Sequence, residues 1–161
     1  MRGRVFALHR KPEAAGERGL PKPSVPEVRL TPEGVVGDYN RYRTELLHSE
    51  PTSAVLLIPL ETLEGLQSEG WPVQPGDLGE NITTQGIPYD RTPPLTRVSV
   101  GGAEIEVARP CDPCTNLYLL PYVGEERGPE FVKTMLHRRG WYCRVLASGV
   151  VRVGDPVEVA D

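Results

Sequence analysis

The stretch TRVSVGGAEIEVAR, Thr96 to Arg109, reads as a β-hairpin. Val98 and Val100 alternate with polar residues before Gly101-Gly102, and Ala103, Ile105 and Val107 alternate after it. A period of two places these apolar side chains on one face of a sheet, and the glycine pair supplies the positive φ that a tight primed turn demands. Strand signals recur on both sides of this hairpin. WYCRVLA, VVRV and VEVA, between Trp141 and Ala160, are short β segments separated by SG and GDP turns. The run AVLLIP, Ala54 to Pro59, is apolar without interruption, the pattern of a strand covered on both faces. Arg4 to His9 reads as an opening strand, and Val28 and Leu30 mark another extended segment. Lys11 to Pro26, polar and rich in Gly and Pro, is expected to be an exposed loop between them.

Two helices are predicted. Leu60, Leu63 and Leu66 recur at helical spacing behind acidic residues, and Gly70 ends the pattern. The second is expected over Pro129 to Arg139, with Pro near its first position, Phe131, Val132, Met135 and Leu136 facing inward, and Gly140 as the stop. Seventeen glycines and seventeen prolines in 161 residues argue for many turns and few long helices. That length suits one core, so residues 1–161 are read as a single, mainly β barrel decorated by two or three peripheral helices.

The charge balance, 18 Lys and Arg against 22 Asp and Glu with no long run of either sign, is not that of a nucleic-acid binder. The opening MRGRVFALHRKPE has too brief an apolar stretch for a signal peptide, and no segment approaches the roughly 20 apolar residues of a membrane span, so a cytoplasmic protein is expected. In that reducing compartment the three cysteines should be thiols or metal ligands rather than a disulfide framework.

The chemistry is concentrated in ARPCDPCTNL, where Cys111 and Cys114 form a C-x-x-C. A structural zinc site needs four ligands, and only Cys143 and the scattered His9, His48 and His137 remain to complete one. A thioredoxin-like motif opens a helix in a βαβ unit, whereas this one follows a hairpin. A third reading is one functional thiol, activated by nearby cations and loop amides, with the other cysteine as neighbour. Arg109, Arg138, Arg139 and Arg144 are the candidate cations. Arg109 stands first, being beside the motif and inward-pointing if the alternation of Ile105 and Val107 continues. In GDLGEN, Gly79 permits tight backbone geometry, Glu80 has the chemistry to orient a donor or move a proton, and Asn81 presents both an acceptor and donors. The competing reading is a structural turn, which is favoured for Gly37-Asp38. Cys143, within an aromatic strand, reads as a small core hydrophobe, and Trp71 and Trp141 as packing residues.

Several ordered segments resemble the MOSC family, the domain named after the C-terminal part of molybdenum cofactor sulfurase. They are GVVGDYN (34–40), LLIPLETLEGL (56–66), PGDLGENITTQGI (75–87), RPCDPCTNL (109–117) and RRGWYCRVLASGVVRVGDPVEV (138–159). The resemblance implies a barrel of the pyruvate-kinase type and a cysteine that binds molybdenum or carries sulfur as a persulfide. The family's Pro-Cys pair, with an apolar residue three positions later, matches Pro113-Cys114 and Leu117, so the resemblance assigns the functional sulfur, and any molybdenum ligand, to Cys114. Around it, Arg109, Cys111, Gly79, Glu80, Asn81, Arg138 and Arg144 are expected to hold an anionic cofactor such as molybdopterin.

Three functions are consistent with this reading. The first is a sulfur-carrier or cofactor-binding domain served by a cysteine desulfurase or a molybdenum-enzyme partner. Pyridoxal phosphate would enter only through that partner, because no domain to bind it is recognisable here. The second is a molybdenum-dependent reductase of N-hydroxylated compounds supplied by a redox partner. The third is a non-catalytic module that binds an anion or a protein surface.

Overall fold

A computed structural model of the chain describes residues 1–15 and 19–160. Seven strands close into a barrel: β1 (Arg2–Leu8), β4 (Val55–Pro59), β5 (Ile82–Gln85), β6 (Arg97–Val100), β7 (Ala103–Pro110), β8 (Trp141–Ala147) and β10 (Pro156–Val159). Around the barrel their order is β1-β10-β6-β7-β8-β4-β5, with β5 returning to β1. A small sheet of β3 (Gly34–Val35), β2 (Glu27–Thr31) and β9 (Gly149–Arg152) lies beside it. The helices are α1 (Arg41–Glu45), α2 (Leu60–Ser68) and α3 (Gly124–Thr134).

The predicted hairpin is β6 and β7, with Val98 opposite Ile105 and Val100 opposite Ala103, all four buried. Every named barrel pair is antiparallel except β4 with β5. Two parallel neighbours need a crossover, and α2 supplies it. The uninterrupted apolar run of β4 is explained by what lies on its two faces. Val55 and Leu57 point into the barrel core with Val5, Ile82, Ile105 and Val107. Ile58 faces a second core built by Leu63, Leu66, Trp71, Leu117 and Phe131, and Leu56 meets Cys111 and Tyr142. A strand between two hydrophobic layers has no polar face to alternate.

Two expectations need correction. The second helix starts at Gly124, not Pro129, so Pro129 lies in its interior and Leu136 beyond its end is half exposed. An interior proline lacks the N–H for the i−4 carbonyl, which ordinarily costs about 3 kcal/mol. Packing offsets that cost: Phe131 is fully buried, its ring tilted against Trp71 with centroids 4.7 Å apart, and Gly128 lets the helix close on the Tyr118 ring, which a Cβ would strike. The second correction concerns the loop from Lys11 to Pro26, of which residues 16–18 lie outside the described residues. Lys22 within it is buried, its backbone N–H donating to the Gly76 carbonyl at 2.9 Å.

Gly140 precedes β8 with φ +101°, and a Cβ there would lie 2.5 Å from Ile58 Cγ1 and 2.7 Å from the Leu57 carbonyl oxygen. Left-handed backbone and contact with β4 act together against any side chain. Gly140→Ala should therefore lose about 2–4 kcal/mol of stability, read as a lower urea midpoint at an unchanged m-value.

Candidate functional site

The cysteine motif is pinned at the barrel end by the backbone of Gly140. The Cys111 N–H donates to the Gly140 carbonyl at 2.8 Å, and Tyr89 Oη donates to the same oxygen at 3.0 Å. Arg139 is thereby brought over the motif, and its Nη1 donates to Cys111 Sγ at 3.5 Å. Cys111 is buried against Leu56 and Tyr142. Burial pushes its thiol pKa up, and the Arg139 charge pulls the other way. Asp112-Pro113 carries the chain outward, so Cys114 is half-buried, and its carbonyl accepts from the Leu117 N–H at 3.1 Å to start the 3-10 turn Thr115–Leu119.

Two spaces meet at Cys114. The inner one, about 30 Å³, is lined by Cys111, Cys114, Arg139, Lys22, Tyr142, Asn40, Asn116 and Gly79, among others. The outer is an open groove of about 250 Å³ between α1 and the 3-10 turn, lined by Arg41, Tyr42, Glu45, Leu46, Cys114, Thr115 and Asn116. Room of the inner size admits one or two water-sized groups and no ring system.

The inner wall is charged. Lys22 Nζ donates to Asp38 Oδ2 at 2.7 Å, and both side chains are buried. Asp38 also accepts from Asn81 Nδ2 at 2.9 Å and from the Lys11 N–H at 2.9 Å. Burial lowers the Lys22 pKa while Asp38 opposes the change. Arg139 is 5% exposed, and its Nε has no hydrogen-bond partner among the described residues. Arg139 also lines the inner cavity, so its guanidinium is placed near any anion held there.

The family model for the MOSC domain matches residues 44–158 of this sequence. The chain belongs to the MOSC domain family. This family is associated with molybdenum-cofactor-related functions. The structure is similar to the YuaD protein from Bacillus subtilis, with TM-score 0.80 and 20% identity over 99% of this chain and 96% of that one. It is also similar to YiiM from Geobacillus stearothermophilus (TM-score 0.73, 23% identity, 100% and 76% of the two chains). For YiiM from Escherichia coli the values are 0.69, 23%, 100% and 70%. These likenesses show the fold. No curated protein matches the sequence.

Within this MOSC domain, the residues singled out from sequence are placed unequally. Cys111, Cys114 and Gly79 line the inner cavity together. Asn81 sits one step behind, its Oδ1 accepting from the Leu56 N–H at 3.1 Å while its Nδ2 holds Asp38. Glu80 is fully buried, and its Oε1 accepts from the Gly76 N–H at 2.6 Å and from Thr83 Oγ1 at 3.2 Å. The arginines divide. Arg109 pairs with Glu50 at 2.6 Å and lies over the Tyr142 ring at 5.4 Å, because a register shift between Val107 and Arg109 breaks the alternation that would have turned it inward. Arg138 is held on the surface by Glu69 at 2.9 Å, and Arg144 by Glu106 at 3.4 Å. Of the four arginines considered from sequence, Arg139 is the one that lines the inner cavity, where Arg41 joins it. Lys22, Asp38, Asn40 and Tyr142 were not assigned to the site from sequence. Asp38, read as a turn former, is the acid of the buried pair.

Two measurements follow from this arrangement. Iodoacetamide should label Cys114 first and Cys143 last, since Cys143 is fully buried with its pKa pushed up to about 12; peptide mapping against pH reads the order. Burial also raises Glu80 from 4.5 to about 7, so the folded state holds a proton that the unfolded chain releases. Its stabilising contribution is complete below the unfolded pKa and is lost as pH rises through about 7. Relative to wild type, Glu80→Gln should gain roughly 3 kcal/mol between the two ends of that window, whatever its constant offset. His9, lowered to about 4 by burial, contributes oppositely, favouring the fold above its unfolded pKa, but it is common to both proteins and cancels. Urea midpoints across the range check the difference, and a pH-independent offset would refute the assignment.

Proposed function

We propose that this domain is a sulfur carrier in a molybdenum-cofactor-linked pathway, with Cys114 as the thiol that accepts sulfur as a persulfide. The observation that carries this reading is the position of Cys114 where an open groove meets a buried, cation-lined well. A carrier thiol must be reachable by a donor protein, and the anionic terminal sulfur it acquires must be kept from solvent and held by donors. The groove along α1 serves the first requirement. The Arg139 guanidinium and the small well serve the second.

In the transfer, the Cys114 thiolate attacks the terminal sulfur of a donor persulfide. The new S–S bond forms on Cys114, the donor's S–S bond breaks, and the donor cysteine leaves as a thiolate. A cysteine desulfurase, bringing its own pyridoxal phosphate, is the donor this chemistry calls for, and a molybdenum enzyme or its cofactor is the acceptor.

The residues also fit the molybdenum cofactor. Among the described residues no group of three or more His, Cys, Asp and Glu is placed to hold a metal ion. A metal arriving with its own ligands would need only one soft donor, and Cys114 is that donor. The inner well is too small for a pterin, so that group would lie in the outer groove beside Arg41, with Arg139 facing anionic oxygen or sulfur. When bound, the metal supplies two-electron atom transfer. The protein's own part is to offer the thiolate and the guanidinium.

At the earliest times of incubation with a cysteine desulfurase and cysteine, about 32 Da per sulfur should appear at Cys114 in wild type and nothing at that peptide in Cys114→Ser, read by peptide mass spectrometry. The serine variant should keep its melting temperature within a few degrees, because a half-buried loop thiol contributes little to the core. Equal labelling of wild type and Cys114→Ser would refute the carrier reading.

A further inference from the structure

The carrier reading uses one thiol, yet two line the inner cavity. Cys111 and Cys114 both line the space of about 30 Å³, and the charge of one sulfur is felt at the other. The second thiol is not packed away like Cys143, which lies in the barrel core and has no cation among the causes of its shifted pKa. Cys111 receives the guanidinium of Arg139 at 3.5 Å on its sulfur, and that arginine is itself nearly fully buried with Nε still free. Burial holds the Cys111 thiol pKa above its ordinary value, and the Arg139 cation aimed at the sulfur offsets part of that rise, which is the contribution a resolving thiol needs.

We propose that Cys111 is a resolving thiol that discharges the Cys114 persulfide, with Arg139 as the residue that positions and charges it. This rests on the carrier reading above. The Cys111 thiolate attacks the Cys114 sulfur of Cys114–S–SH. The Cys111–Cys114 bond forms, the Cys114–sulfane bond breaks, and the terminal sulfur leaves with the electron pair and its proton as hydrosulfide. The two cysteines are oxidised to a disulfide and the sulfane sulfur is reduced to sulfide. A dithiol reductant of the thioredoxin class returns the pair to the free thiols seen in the structure. The site thereby either passes sulfane sulfur intact to an acceptor in the groove or, with none present, releases it as sulfide.

The test loads the full chain with inorganic polysulfide without oxygen or reductant, and follows intact mass and free sulfide. Wild type should first gain about 32 Da. It should then settle about 2 Da below the reduced mass as one equivalent of sulfide appears. Cys111→Ser should hold the heavier mass on Cys114 and release sulfide at least ~10-fold more slowly. Cys111→Ala is run beside it because the residue is buried, and loading at Cys114 in either variant shows an intact site. Arg139→Gln should move the pH profile of sulfide release upward by about one unit, and Arg139→Lys should restore part of it. A purely structural arginine would lower loading without moving that profile, which would overturn its assigned role. Persistence of the heavier mass in wild type, or equal sulfide release from Cys111→Ser, would overturn the resolving thiol and leave the carrier intact. Failure of both Cys111 variants to load would overturn the carrier reading and this proposal with it.

Discussion

The site depends on one backbone carbonyl. Gly140 is pressed against β4 in a left-handed conformation closed to other residues, and its oxygen accepts from the Cys111 N–H and from Tyr89 Oη. The first of these bonds fastens the end of β7 to the residue before β8, beyond the last pair of the barrel ladder, Pro110 with Trp141, and the second ties the segment after β5 to the same oxygen. Because Arg139 immediately precedes that glycine, the same contact sets a guanidinium over the Cys111 sulfur. Two segments nearly thirty residues apart in the chain are thus combined into one site by geometry that costs only a single glycine.

Around that junction the protein buries the charged side chains of Lys22, Asp38 and Arg139. Replacing a buried ion pair by apolar side chains is often neutral or favourable, so burial of Lys22, Asp38 and Arg139 is poorly explained by stability alone. Asp38 is tied by Lys22, Asn81 and the backbone of Lys11, which leaves it little freedom to move toward Arg139. Arg139 in turn touches sulfur and presents an unpaired donor. Lys22 is paired within the wall by Asp38, while Arg139 meets the Cys111 sulfur and feels the buried Glu80 carboxyl.

The legible parts of the chain were those governed by local periodicity. The β6–β7 hairpin, β4 and α2 follow from patterns of two, of continuous burial and of 3.6, each within a dozen residues. The start of α3 was obscured because Pro129 carries a strong local signal for a first turn, while the packing of Phe131 and Gly128 that overrides it is tertiary. The cysteine pair was legible from its spacing. The cation beside it was not, since Arg138 and Arg139 are adjacent and identical in chemistry, and only the turn before β8 sends one to Glu69 on the surface and the other inside. Arg109 faces Glu50 for a related reason: a bulge in β7 reverses the side a residue faces, and a bulge leaves no mark in an alternating pattern. Lys22, between two prolines in a polar stretch, gives no sign of burial at all.

The size of the inner well bears on the choice among chemistries more directly than family membership does. A pterin requires a slot far larger than about 30 Å³, whereas the terminal atom of a persulfide fits that space beside an arginine and a second thiol. The outer groove is large enough for a cofactor or for a partner's loop, and it reaches only one of the two sulfurs, Cys114. Cys114 and Asn116 line both spaces, whereas Cys111 and Arg139 line only the inner one, so the two sulfurs stand in different surroundings. The proposed carrier function uses that difference: Cys114 would meet the donor protein, and the sulfur it takes would then lie toward Cys111 and Arg139.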